Sequence, residues 1–455
     1  MSIIKSISGI RGTIGGKPGD NLTPIDIVEC TAGFGMWLKS RTDKTPKVVV
    51  GRDGRISGKM VSQISVNTLV GMGINVIDCG LSTTPTIEMM VTEFNADAGI
   101  IFTASHNPEQ WNALKFLNHK GEFISAKDGE EILNYISSQS LEFAEVRQLG
   151  SYEKTKNAIG IHLDKILNYP LINKEAIKTS SFKVVVDCIN STGALSVPPL
   201  LMALDVEFVL INEKVNGEFA HNPEPLAKHL TELSNAVLEN NAIMGISIDP
   251  DVDRLAFVNE DGSMFGEEYT LVAIADYFLS KKKGNTVSNL SSTRALADIT
   301  KKYGGEYFAS AVGEVNVVNT MKAHHAVIGG EGNGGIIVPD FHYGRDALIG
   351  IALFLSLLAE RKSSPLELKK NYSHYEMIKD KIDLSTSIDL ENTIGRVKNA
   401  FQNEKLNDVD GLKIDFENGW VHLRKSNTEP IIRIYAEAET TDIAQSLVNR
   451  VKKYF

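Results

Sequence analysis

The sequence predicts an α/β protein whose carboxyl-terminal part is built differently, and three observations carry that prediction. Residues 47–51 (Lys47-Val48-Val49-Val50-Gly51), 183–187 (Lys183-Val184-Val185-Val186-Asp187) and 286–290 (Thr286-Val287-Ser288-Asn289-Leu290) each lead from a buried-strand pattern through a polar turn to a helical pattern. Such spacing belongs to repeated α/β units with largely parallel sheets. The tail breaks the pattern: residues 420–423 and 431–437 suggest antiparallel strands, and residues 441–454 read as an amphipathic closing helix. At 455 residues the chain is too long for one core and should divide into three or four domains. Boundaries are expected near residues 150, 256 and 370, giving segments 1–150, 151–256, 257–370 and 371–455.

Composition narrows the class. A net charge of −10 argues against a broad nucleic-acid surface while leaving room for local basic pockets. Cys30, Cys79 and Cys188 cannot all pair and are not spaced as a metal motif, so buried thiols in a reducing compartment are expected. The chain reaches Gly9-Ile10-Arg11 without a secretory apolar core, and its longest nearly apolar run, residues 347–359, is too short to span a bilayer. That run is expected to be a buried helix, and Lys281-Lys282-Lys283 a solvated helix end. A cytoplasmic enzyme with neither nucleic-acid nor membrane partners fits these features, which leave the oligomeric state open.

Four polar loops carry the chemistry. Thr103-Ala104-Ser105-His106-Asn107-Pro108 follows the apolar run of residues 98–102, which places a serine hydroxyl at the carboxyl end of a strand, where open α/β sheets hold their ligands. Ser-His adjacency alone does not make a triad, and a lone serine there is an ordinary turn residue. Asp249-Pro250-Asp251-Val252-Asp253-Arg254 lies between apolar segments 243–248 and 255–258. Three alternate carboxylates can converge on one hard cation such as magnesium, which takes oxygen ligands. A calcium-binding EF-hand fails at its sixth position, where Arg254 replaces the required glycine, and the flanks look like strands. A solvated acidic turn is the bland alternative.

Gly329-Gly330-Glu331-Gly332-Asn333-Gly334-Gly335 contains a formal dinucleotide fingerprint, but Ile336-Ile337-Val338-Pro339 follows where a helix should open. The loop instead offers Glu331 and Asn333 to a ligand, a carboxylate and a carboxamide suited to vicinal sugar hydroxyls, unless it is simply a hairpin. Arg424-Lys425-Ser426-Asn427-Thr428-Glu429-Pro430, with Arg433 beyond it, sets two guanidiniums, two hydroxyls and an amide where a phosphate dianion would be held. A surface turn with incidental charge is the alternative there.

In this order the four loops resemble those of the α-D-phosphohexomutase family, which includes phosphoglucomutase, phosphomannomutase and phosphoglucosamine mutase, and the likeness runs along essentially the whole chain. The family's catalytic serine loop matches residues 103–108, its metal loop 249–254, its sugar loop 330–334 and its phosphate loop 424–433. Gly9-Ile10-Arg11-Gly12, residues 51–57 (Gly51-Arg52-Asp53-Gly54-Arg55-Ile56-Ser57) and residues 112–116 (Asn112-Ala113-Leu114-Lys115-Phe116) add to the likeness. Bacterial phosphoglucosamine mutases and many phosphomannomutases carry a serine in the sugar loop and a histidine after it. This chain has Asn333, then Gly334 and Gly335, which resembles the archaeal-type phosphoglucosamine mutase branch.

The resemblance implies three similar mixed α/β domains plus a smaller C-terminal α+β domain around a central cleft. It also implies a reaction in which Ser105, as phosphoserine, phosphorylates a hexose monophosphate to a bisphosphate and then recovers the other phosphate. Magnesium would be held by Asp249, Asp251 and Asp253 together with a phosphoserine oxygen at Ser105. Arg254, Arg11 and His106 are candidate supports, and Lys115 is a candidate for proton transfer or charge stabilisation unless it is a surface lysine. Glu331 and Asn333 would read the sugar, while Arg424, Ser426, Asn427, Thr428 and Arg433 hold the phosphate that is not reacting. A hexose 1,6-bisphosphate is the expected activator and glucosamine phosphate the expected substrate, with mannose or glucose phosphate as alternatives. A phosphohydrolase and a non-catalytic sugar-phosphate sensor are the rivals from other classes.

Overall fold

Each of the three predicted strands forms, within one residue of its expected span: Lys47–Arg52, Lys183–Asp187 and Asn285–Asn289. The computed structural model describes residues 3–6, 9–138, 141–383, 390–425 and 431–455. Ser426, Asn427 and Thr428 therefore lie outside the described residues. The chain divides into two compact units, residues 1–270 with 334–367 and residues 271–333 with 368–455.

In the first unit a seven-stranded sheet runs in the order Ile4–Ser6, Gly9–Thr13, Trp111–Leu117, Ala98–Phe102, Lys47–Arg52, Asn75–Leu81 and Tyr152–Lys154. The last four strands pair in parallel and the other pairings are antiparallel. The sheet is thus less parallel than the strand-turn-helix spacing alone suggests. The cause is the serine loop: residues 103–110 join Ala98–Phe102 to its neighbour, and a parallel crossover needs about a dozen residues or more. Helix Pro24–Lys39 starts at Thr23, whose side chain forms a reciprocal capping box with Asp26, and packs Phe34 on Phe116 at 4.6 Å.

A second sheet in this unit has the order Leu255–Asn259, Met244–Ile248, Lys183–Asp187, Glu207–Ile211. Its first two strands are antiparallel, so the acidic loop is the turn that joins them. The apolar run at 347–359 lies within helix Ala347–Arg361, is buried throughout, and is capped by Asp346, as expected for a helix hydrophobic on all sides. Phe354 from it stacks on Phe257 at 4.0 Å. Cys30, Cys79 and Cys188 are buried thiols. Burial pushes the thiol pKa values of Cys79 and Cys188 up to about 12, which keeps them unreactive. Among the described residues no helix is long and apolar enough to cross a membrane.

The second unit holds parallel strands Tyr307–Ser310, Asn285–Asn289 and Ala326–Glu331, flanked by helices Ala295–Lys302 and Glu314–Ala323. It also holds the predicted antiparallel tail, in the order Glu376–Asp383, Ile431–Ala438, Gly419–Lys425, Leu412–Phe416, Lys405–Asn407. Helix Thr441–Lys452 closes one face of this sheet, with Leu447, Val448 and Val451 in the core. The helix stops two residues short of the predicted end because Tyr454 bonds back to Val451, a tighter last turn.

His422, on strand Gly419–Lys425, is fully enclosed. Its Nε2–H donates to the Asp410 carbonyl at 2.6 Å, and the Ser291 hydroxyl donates to its Nδ1 at 2.9 Å. Both nitrogens are thus satisfied only in the neutral ring, and burial pushes the pKa down from 6.5 to about 4. The unfolded chain therefore binds more protons between these values, and stability falls as pH drops through that window. Urea unfolding should lose up to about 3 kcal/mol through this group between neutral pH and pH about 4. In His422→Gln that component should be missing; an identical pH dependence in the variant would contradict this assignment.

Candidate active site

The serine loop is shaped by a buried ion pair from the neighbouring strand's turn. Arg55 donates from Nε to Asp53 Oδ2 at 3.1 Å, from Nη1 to the carbonyls of Pro108 and Trp111 at 2.8 and 2.9 Å, and from Nη2 to those of Asn107, at 2.6 Å, and Ser105. Three carbonyls of one loop and the first of the strand that leaves it thus converge on a guanidinium that is 1% exposed. Thr103 donates to Asp53 Oδ2 at 2.6 Å and accepts the Ser105 N–H at 2.9 Å. Held this way, Ser105 takes a φ of +50°, a left-handed conformation uncommon for a residue with a side chain. Strain of this kind persists only where surrounding bonds over-determine the backbone.

The acidic loop is pinned just as firmly. The Pro250 carbonyl accepts from Ser191 Oγ at 2.6 Å and Thr192 Oγ1 at 2.8 Å. Val252 has a φ of +61°, an outlier for a β-branched residue, and its carbonyl accepts the Ala347 N–H at 3.2 Å. Gly334 packs against the strand that leaves this loop, where a Cβ would lie 2.0 Å from the Leu255 carbonyl oxygen. Only glycine fits there.

The two loops meet at Asp249, whose Oδ2 accepts the Ser105 hydroxyl at 2.6 Å while Oδ1 accepts the backbone N–H groups of Asp253 and Arg254. Asp251 Oδ2 accepts from Thr84 Oγ1 at 2.7 Å and Lys115 Nζ at 2.9 Å. Arg345 Nη2 donates to Asp253 Oδ2 at 2.6 Å, and Lys115 Nζ stands 3.9 Å from the same oxygen. All three carboxylates are wholly buried, with one ligand oxygen of each within 4.8 Å of the others. Asp251 Oδ1 and Asp253 Oδ1 have no hydrogen-bond partner among the described residues. Two orphaned anionic oxygens inside an all-oxygen cluster suit a small hard cation, so the residues fit magnesium.

The electrostatics follow from burial and from these neighbours. Burial, then the charges of Asp253 and Asp251, pushes the Asp249 carboxyl far above its usual range. Burial acts the same way on Asp251, but the Lys115 ammonium and the bond from Thr84 outweigh it and hold that carboxyl low. Lys115, on strand Trp111–Leu117, loses charge stability on burial and more than regains it from Asp251 and Asp253, so its pKa rises and it stays an ammonium. It is not a free surface lysine. His106 is driven well below its normal pKa by burial and by Arg254 and Arg345. Its neutral ring places Nδ1 3.4 Å from Ser105 Oγ and Nε2 3.5 Å from Arg254 Nη2. Arg254 also reaches Glu224 at 3.3 Å. The Arg11 side chain has no hydrogen-bond or ion-pair partner among the described residues, and burial lowers its pKa.

In the second unit Glu331 ends strand Ala326–Glu331, 4% exposed, and accepts from Asn289 Nδ2 at 2.9 Å and the Gly313 N–H at 3.1 Å. Asn333 Nδ2 lies 3.5 Å from its other oxygen. Arg424 and Arg433 occupy directly paired positions on neighbouring strands, and Lys381 pairs with Arg433 on the next. Like charges directly opposite repel. Asp410 offsets one of them at 3.2 Å from Arg424 Nε. Thr84, Arg345 and the Asp53–Arg55 pair are the working residues that sequence reasoning did not assign.

Four family models match the chain in series: phosphoglucomutase/phosphomannomutase alpha/beta/alpha domain I over residues 3–142, domain II over 161–262, domain III over 266–375 and the C-terminal domain over 392–453. A phosphoglucomutase/phosphomannomutase of Thermococcus kodakarensis is 33% identical over 440 residues, 95% of each chain. A phosphoglucosamine/phosphogalactosamine mutase of Sulfurisphaera tokodaii is 30% identical and covers 100% of this chain and 99% of its own. The crystal structure of a phosphoglucomutase/phosphomannomutase family protein from Burkholderia thailandensis superposes with a TM-score of 0.86 at 24% identity over 99% of this chain and 96% of that one, which shows a common fold.

Replacing Arg55 by Met should destabilise the first unit by about 3–5 kcal/mol in urea melts, because it strands a buried Asp53 and frees four carbonyls. Adding Asp53→Asn should recover part of that loss. A single variant as stable as the wild type would show that the ion pair does not shape the loop.

Proposed function

The chain belongs to the phosphoglucomutase/phosphomannomutase family and is a phosphohexomutase, and we propose that it interconverts hexose 6-phosphates and hexose 1-phosphates, glucosamine phosphate foremost, through a phosphoserine at Ser105. The observation that carries this reading is the 2.6 Å bond from the Ser105 hydroxyl to Asp249, at the mouth of a buried carboxylate cluster. An ordinary turn serine has no cause to be held in a strained backbone conformation against three aspartates.

In the forward half-reaction the phosphorus–Oγ bond of phosphoserine breaks as a bond forms to the free hydroxyl of the hexose monophosphate. The proton leaving that hydroxyl is matched by the one restored to Oγ, and the regenerated serine hydroxyl then donates to Asp249. The bisphosphate next returns its other phosphate to Ser105. Asp249, Asp251 and Asp253, with a phosphoserine oxygen, would hold a magnesium ion, which would neutralise charge on the transferring group, the main demand of phosphoryl transfer. Lys115, kept cationic by Asp251 and Asp253, is assigned charge stabilisation rather than base catalysis. His106 supports Oγ as a neutral ring, and the guanidinium groups of Arg11 and Arg254 are assigned to phosphate oxygens. A hexose 1,6-bisphosphate is assigned the role of restoring phosphoserine when the intermediate escapes.

Glu331 and Asn333 are assigned the sugar. The carboxylate only accepts hydrogen bonds, which suits hydroxyl donors and favours the ammonium of glucosamine, while the carboxamide both donates and accepts. Arg424 and Arg433, with Ser426, Asn427 and Thr428, are assigned the phosphate that does not react.

A coupled assay on glucosamine, mannose, glucose and N-acetylglucosamine phosphates should find glucosamine phosphate turned over fastest, with stimulation by a hexose 1,6-bisphosphate. Ser105→Ala should keep the fold, lose turnover, and lack the single phosphate that intact-mass analysis finds on the wild type. Full activity in the variant would refute the phosphoserine. Release of inorganic phosphate without isomerised sugar would refute the mutase cycle, and faster turnover of mannose phosphate would overturn the sugar assignment alone.

A further inference from the structure

The first unit holds a second cluster of metal-ligating side chains that the phosphoryl-transfer residues do not include. His162 in helix Ala158–Leu167, His342 at the start of strand His342–Arg345 and Asp346 at the cap of helix Ala347–Arg361 converge there. The Nε2 atoms of both imidazoles face one oxygen, Asp346 Oδ2, at 2.9 and 3.2 Å. Asp346 Oδ1 is already occupied by the N–H groups that open the helix. The three potential ligand atoms lie within 4.8 Å of one another.

The far side of each ring is also furnished. His162 Nδ1 lies 2.9 Å from the Thr86 hydroxyl, and His342 Nδ1 lies 3.5 Å from Glu88 Oε2. Glu88 is itself pressed onto the chain, for a Cβ at Gly344 would stand 1.8 Å from that oxygen. An oxygen behind each histidine is the arrangement that fixes ring orientation and raises basicity around a bound metal.

His342 joins both carboxyl groups of this cluster. Its Nε2 faces Asp346 Oδ2 and its Nδ1 faces Glu88 Oε2. The Glu88 and Asp346 carboxyl groups are each no more than 2% exposed. A divalent cation among the Nε2 atoms and Asp346 would take one ligand from each of three separate segments. We propose that His162, His342 and Asp346 form a binding site for a divalent transition metal of the zinc class, with Glu88 positioning His342 and a water completing the set.

Two nitrogens and one carboxylate suit zinc or cobalt and disfavour magnesium. A cavity of about 610 Å³, lined among others by Glu88, Tyr169, Phe341, His342 and Tyr343, borders the cluster at His342 and Glu88. The His342 side chain is 13% exposed, whereas that of His162 is fully enclosed. A bound ion would tie three separate segments together. It would also fix Arg345, which stands between two of these positions in sequence and grips Asp253.

Cobalt chloride titrated at neutral pH into chelator-treated protein, with magnesium in excess, tests the site by visible absorption and by elemental analysis after gel filtration. One equivalent of tightly held cobalt with a low-coordinate, nitrogen-ligated spectrum is expected in the wild type and in Asp251→Asn. His342→Gln should lose that equivalent, and Glu88→Gln should weaken it about 10–100-fold while leaving a readable fold. No cobalt uptake by the wild type would mean that protons alone balance the cluster. Equal uptake by wild type, His342→Gln and Glu88→Gln would place the metal elsewhere. Either result overturns the proposal.

Discussion

Three carboxylates with no exposure to water must be compensated from within the protein, and most of the first unit's design can be traced to that requirement. A lone buried carboxylate is costly enough to take up a proton instead. Here Lys115, Arg345 and the Thr84 hydroxyl approach from a strand, a hairpin and a helix start that are far apart in sequence, each satisfying one side of Asp251 or Asp253. Asp249 is treated differently: its partners are backbone N–H groups and the Ser105 hydroxyl, and its carboxyl is pushed upward by burial and then by its two neighbours. The oxygens of Asp251 and Asp253 that have no hydrogen-bond partner among the described residues are what suit the cluster to a cation.

The same requirement explains why two loops carry strained residues. Ser105 and Val252 both occupy the left-handed region without being glycine, and each loop is tied by side chains that lie beneath it. Arg55 gathers the carbonyls of the serine loop, while Ser191 and Thr192 hold Pro250 in the acidic loop. Rigid support of this kind fixes the Ser105 hydroxyl against the aspartates, the positioning that the proposed phosphoserine chemistry would draw on.

Much of this was legible in the sequence because chemistry and fold share a local signal. Ser105, the three aspartates and Glu331 each sit where an apolar strand gives way to a polar loop, and periodicity locates such places. The refusal of a dinucleotide reading at Gly330 rested on the β-branched run behind it, and strand Gly335–Val338 stands there. The antiparallel tail was visible in the same way. Arg55, Thr84 and Arg345 were not assigned because the carbonyls and carboxylates they hold are about 50 to 170 positions away, and nothing around them marks a buried arginine or threonine as different from an exposed one. The pairing of Arg424 with Arg433 required a register that composition does not give.

The central claim is that the aspartate cluster is completed by a hard divalent cation. Calorimetric titration of magnesium chloride into chelator-treated protein, wild type against Asp251→Asn, addresses it most directly. A single binding event in the wild type that raises the melting temperature, weakened at least about tenfold by a substitution that preserves shape and removes one charged ligand, is the predicted result. Equal magnesium affinity in the two proteins, or no binding in either, would contradict it.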